Sequence, residues 1–177
     1  VNTGNIVGDV NVTGDLTSAA TPGTFTHSSG GDISGTTTIS GATTGAGAST
    51  FISDGGTFGT ADAAVDITLN GGVLQVVDDT IAEVANNGGM VTVLTGQTLT
   101  GDFTSTNVAA ATSIAGQIDG SVAITAGAVT LEANAGGGVG IKGDVTADGT
   151  DSTLTVNSGT GVSGLVTITN DALLDIN

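Results

Sequence analysis

Residues 65–76 read Val65-Asp66-Ile67-Thr68-Leu69-Asn70-Gly71-Gly72-Val73-Leu74-Gln75-Val76. Apolar residues alternate with Asp66 and Thr68 in the first half, the period-2 signature of a half-buried strand. Asn70-Gly71-Gly72 interrupts the pattern with residues that favour turns. The second half is again short, aliphatic and β-branched. Two strands of a few residues, joined at a tight corner, are what this stretch predicts.

The same pattern recurs along the chain. Val10-Asn11-Val12, Met90-Val91-Thr92-Val93, Val122-Ala123-Ile124 and Val129-Thr130-Leu131 alternate in the same way. So do Leu154-Thr155-Val156, Val166-Thr167-Ile168 and Leu174-Asp175-Ile176. Gly-Asp, Asn-Gly, Asp-Gly and Gly-Gly pairs separate them. Helix signals are nearly absent, because Gly, Thr and Asn are poor helix formers. Thr80–Asn87 is the single helical candidate, with Asp78 or Asp79 as a cap and Gly88-Gly89 as a stop. A strand and a turn read equally well there.

Strands this short bury little alone and need neighbours stacked above and below. Gly-Asp followed by an apolar residue occurs at Gly8-Asp9-Val10, Gly14-Asp15-Leu16, Gly31-Asp32-Ile33, Gly101-Asp102-Phe103 and Gly143-Asp144-Val145. The spacing is irregular, so a strict hexapeptide or nonapeptide coil is not expected. The predicted fold is all-β: an irregular parallel β-solenoid (β-helix) with coils of roughly 15–25 residues. A β-sandwich is the runner-up. Residues 1–177 read as one elongated domain, Thr/Gly/Ser-rich over 1–60 and more regular over 61–177. The small-residue stretch 36–47 reads as Thr-ladder strands ahead of loop, because Ile33, Ile39, Phe51, Ile52 and Phe58 supply apolar anchors.

Composition agrees. The 177 residues hold 17 Asp+Glu against a single Lys+Arg, for a net charge of -16, yet only 10% are charged. Val, Ile, Leu and Phe make up about a quarter of the chain, above the ~20% level of disordered segments. Aromatics at 2% leave few large side chains, so the core is narrow and aliphatic. The missing cations exclude the basic footprint of a nucleic-acid binder and attraction to anionic lipid. No apolar run approaches the ~20 residues of a membrane-spanning helix. Zero Cys removes disulfides, thiolate catalysis and zinc ribbons. Unopposed carboxylates repel one another, which calls for counter-ions or wide spacing. A start at Val1 rather than Met, with no visible signal peptide, reads as a processed or excised form.

Motifs of chemistry are sparse. Gly138–Gly143 and Gly159–Gly164 both match GxGxxG, but a strand pattern follows each where a dinucleotide site needs a helix. Residues 137–145 approach a calcium-binding nonapeptide, with Lys142 where the metal-binding Asp belongs. Looser calcium sites are expected at Asp148 and Asp151, which flank Gly149, and at the adjacent pair Asp78 and Asp79. His27 lies beside Ser28, Ser29 and Asp32, too close in sequence for a catalytic triad. The chain is read as not an enzyme. Asn11-Val12-Thr13 is a sequon of the kind Thr-rich chains carry by chance.

The texts of residues 65–76, Thr153–Gly159 and Asp171–Ile176 resemble the passenger domains of bacterial autotransporters and β-rich surface-layer proteins. Residues 7–17 with 34–39 are similar to segments of phage tail fibres. The resemblance implies a secreted, extracellular β-solenoid acting as surface coat, fibre or adhesin. The expected function is a self-assembling structural subunit whose partner is itself, with Val1–Thr13 or Leu173–Asn177 pairing to a neighbouring copy. The alternative is a module that binds a cell-surface glycan or receptor.

Overall fold

A computed structural model gives the fold; it describes residues 1–2, 4–13, 23–28, 31–43, 48–59, 65–133 and 135–177. Gly14-Asp15-Leu16 and part of the 36–47 stretch lie outside the described residues. Among the described residues seventeen strands follow one another: β1 (Val10–Thr13), β2 (Gly23–Ser28), β3 (Asp32–Ile33), β4 (Thr37–Ser40), β5 (Ser49–Phe58) and β6 (Ile67–Leu69). Then come β7 (Val73–Ile81), β8 (Val84–Asn86), β9 (Met90–Val93), β10 (Thr98–Thr100), β11 (Phe103–Ile114) and β12 (Gln117–Asp119). The series closes with β13 (Val122–Leu131), β14 (Val145–Asp148), β15 (Ser152–Val156), β16 (Val166–Thr169) and β17 (Leu173–Ile176). A 3₁₀ turn at Ala135–Gly138 is the one helical element among the described residues.

All strand pairs are parallel, and each strand pairs with its counterpart one coil away. That is a β-solenoid, and it sets aside the sandwich, whose sheets are antiparallel. Three faces wind around a narrow core. The first carries β1, β4, β6, β8, the start of β11, the start of β13, β14 and β16. The second carries β2, the start of β5, the start of β7, β9, the end of β11, the end of β13, β15 and β17. The third carries β3, the ends of β5 and β7, β10 and β12, extended by bridges at Ile6, Ile141 and Val162.

Alternation now has a cause. On the first face the inward ladder runs Val10, Thr37, Ile67, Val84, Phe103, Val122, Val145, Val166. On the second it runs Phe25, Phe51, Leu74, Val91, Thr112, Val129, Leu154, Leu174. Ile33, Phe58, Leu99, Ile118 and Ile141 fill the third side and are buried. Each fully buried Leu, Ile or Phe contributes about 1.5–3 kcal/mol over the exposed state, so stacking stabilises strands that could not stand alone.

Coil length varies along the axis. Val10 pairs with Thr37, 27 residues on, and Thr37 with Ile67, 30 residues on. Later steps are 17 (Ile67 to Val84), 19 (Val84 to Phe103), 19 (Phe103 to Val122), 23 (Val122 to Val145) and 21 (Val145 to Val166). The expected coil size therefore holds from Ile67 onward and is too short for the first two coils. Those coils hold three of the four Phe: Phe25 stacks on Phe51 at 5.3 Å, and Phe51 meets Phe58 edge-on at 5.6 Å.

Thr80–Asn87 is not a helix. Thr80 and Ile81 end β7, and Val84–Asn86 form β8. Val84 and Asn86 both enter the interior, where an extended segment reaches the stack and a helical turn would not. At the opening stretch, Gly71 and Gly72 hold φ of 141° and 69°, which only glycine adopts readily. A Cβ on Gly71 would also overlap the carbonyl of Gly41 in the coil beneath.

Candidate functional site

The acids are organised by the corners. The residue that enters each first-face strand is Asp9, Thr36, Asp66, Glu83, Asp102, Ser121, Asp144 or Leu165. Four of these carboxylates accept the backbone N–H of the corner residue one coil further on. Asp9 Oδ1 accepts from Thr36 N at 2.9 Å, and Asp66 Oδ2 from Glu83 N at 2.8 Å. Asp102 Oδ1 accepts from Ser121 N, and Asp144 Oδ1 from Leu165 N, both at 2.8 Å. This is helix-cap chemistry moved to a coil corner: a short acidic side chain satisfies an N–H that the ladder leaves free. At Asp9, Asp102 and Asp144 a glycine precedes the acid, and such corner glycines let successive coils touch. A Cβ on Gly120 would overlap the Gly101 carbonyl, one on Gly143 that of Gly120, and one on Gly164 that of Gly143.

Asp66 differs from the other three. It is only 7% exposed, and its Oδ1 has no hydrogen-bond partner among the described residues. Burial pushes its carboxyl above the usual Asp range, against the Glu83 N–H, which pulls the other way.

The four acids expected to hold calcium lie at two corners of the stack. Asp148 Oδ1 accepts from Thr169 Oγ1 at 2.8 Å and from Asn170 Nδ2 at 2.6 Å, tying β14 to the coil above. Those two bonds hold its pKa below the usual Asp range. Asp151 is exposed in the same turn, where its carbonyl accepts from Gly127 N. Asp78 Oδ1 accepts from the N–H of Asp79, and Asp79 Oδ1 accepts from Thr98 N at 2.8 Å in the next coil. Among the described residues no three His, Cys, Asp or Glu side chains converge as a metal cluster.

His27 is fully buried, with Nε2 3.0 Å from the Gly31 carbonyl and its ring edge-on to Phe58 at 5.3 Å. The Gly31 carbonyl makes Nε2 the donor and leaves Nδ1 to accept from Asn2 Nδ2 at 3.3 Å. This histidine packs inside the first coils. Both GxGxxG stretches run into strands, β14 and β16, with no helix to cradle a phosphate. Asn11 is exposed on β1.

The third face carries the feature that local sequence reading misses. Its outward positions align as Asp32, Thr57, Ile81, Thr100 and Asp119, and Lys142 follows beside Asp119. Lys142 Nζ binds Asp119 Oδ2 at 2.9 Å, with both side chains nearly half exposed. Thr57, Ile81, Thr100, Asp119 and Lys142, with Asp79 and Thr98, line an open trough of about 420 Å³. Neighbours along this row are 19 to 24 residues apart in sequence, so only the pairing register unites them. The one signal that could have found them is the repeat Thr98-Leu99-Thr100, Gln117-Ile118-Asp119, Gly140-Ile141-Lys142. No protein-family model matches the chain, and neither a curated protein nor a solved structure does.

Proposed function

We propose that this chain is an extracellular structural protein, a rod that self-assembles into a surface layer, matrix or fibre and is not an enzyme. One observation carries this reading: carboxylates at successive levels of the stack fasten coil to coil, as at Asp9, Asp102, Asp144 and Asp148. In the proposed assembly the Val1–Thr13 end of one copy adds as a parallel strand to the Leu173–Asn177 end of the next. Calcium, bridging exposed acids such as Asp79 and Asp151 of adjacent rods, offsets the net charge.

Electron micrographs of the purified chain, over a concentration series with and without calcium, test this. Filaments or sheets that lengthen with concentration are expected. Separate rods at every concentration overturn it.

A second reading, a module that binds a cell-surface glycan, is favoured by the trough on the third face.

A further inference from the structure

We infer that the third-face trough binds a linear, uncharged polyhydroxylated chain, a neutral glycan, laid along the solenoid axis. The inference rests on the second reading above and not on the assembly reading.

The argument begins with spacing. Parallel neighbours lie about 4.7–4.9 Å apart, so the positions of Thr57, Ile81, Thr100, Asp119 and Lys142 span about 19 Å in a straight row. A ligand that meets side chains at successive steps of a straight row is itself an extended chain. The row's chemistry is mixed. Thr57 and Thr100 donate and accept, Asp79 and Asp119 accept, and Lys142 donates. Hydroxyl groups, which both donate and accept, complement every one of these. Ile81, 52% exposed in the middle of the row, offers an apolar patch to the C–H face of a ring.

Charge selects among chains. The molecule carries -16, so uronates, phosphates and nucleic acids are repelled. A polyamine is opposed by Lys142, the only Lys of the protein, whose ammonium lies in the trough and neutralises Asp119. An uncharged polyhydroxyl chain is what remains. Without aromatic platforms each contact is weak, so affinity grows by repetition along the row.

The test is a titration of the isotope-labelled chain, followed by amide chemical shifts. The probes are neutral linear oligosaccharides of two to six units from the cello-, malto-, manno- and xylo-series. At least one series is expected to shift the amides of Thr57, Ile81, Thr100 and Lys142, with affinity rising with length and then levelling. Thr100→Val weakens that binding roughly five- to tenfold, the loss of one hydrogen bond, and Thr146→Val on the first face leaves it unchanged. No shift with any series overturns the inference. So does tighter binding of oligogalacturonate or of spermine at the same amides. Micrographs of the same sample report assembly separately, so the failure of either reading is seen on its own.

Discussion

The carboxylate of Asp102 accepts the backbone N–H of Ser121 at 2.8 Å, across the gap between two coils. Asp9, Asp66 and Asp144 repeat this bond at the same corner. Replacing the acceptor therefore loosens one junction. Asp102→Ala is expected to lower the melting temperature by about 2–4 °C, the size of a lost cap in a domain of this length. Asp102→Asn keeps an acceptor oxygen and loses less. Thermal unfolding followed by circular dichroism reads both; equal losses would mean that charge rather than the bond holds the corner.

The corner glycines are steric requirements. Gly120→Ala places a methyl group on the Gly101 carbonyl, and the neighbouring coil must move. A loss above about 3 kcal/mol in urea unfolding is expected. Gly4→Ala has open space around it and stays within about 0.5 kcal/mol of the parent.

Asn86 is a polar residue in the core column. Its Nδ2 donates to the Gly89 carbonyl at 3.1 Å, and its Oδ1 accepts from Gly89 N at 2.8 Å. It folds the chain from β8 into β9 from the inside. Asn86→Ala leaves the Gly89 N–H buried without a partner, while the Gly89 carbonyl keeps the Ala111 N–H, at a cost of about 1–3 kcal/mol. Asn86→Leu adds apolar surface and is still expected to destabilise; a gain in urea midpoint would refute the turn role.

Asp66 and Asp148 give opposite pH signatures. The Asp66 carboxyl is raised above its ordinary value of 3.8 by burial. Its contribution to stability is fully present below that value and is lost as pH rises through the folded pKa. The Asp148 carboxyl is lowered by Thr169 and Asn170, so its contribution is present above 3.8 and lost as pH falls through the folded pKa. Asp66→Asn is therefore expected to raise the melting midpoint relative to the parent at pH 7, with the difference shrinking toward pH 3.5. A constant difference across the range would contradict a raised pKa.

Face alternation was readable because it is local: Ile67-Thr68-Leu69 places its own residues in and out. The corner glycines were visible as a Gly-Asp repeat, although their role was not. Asn70-Gly71-Gly72 illustrates the limit. An Asn-Gly pair between alternating runs signals a hairpin, yet β6 and β7 lie on different faces and pair with other coils. The loose first coils and the trough were not legible, because both depend on which residue stacks on which across coils of unequal length. Thr80–Asn87 failed as a helix for the same reason: Val84 stacks between Ile67 and Phe103, a partnership set by register and not by propensity.

The bonds between coils run along the axis, and each coil holds chiefly to the ones above and below it. A pull on the two ends would load the junctions in series, like links of a chain. The tensile strength of the rod is then that of its weakest junction. Carboxylates such as Asp102 and Asp144, placed at every second corner, act as rivets that set how evenly the load is shared.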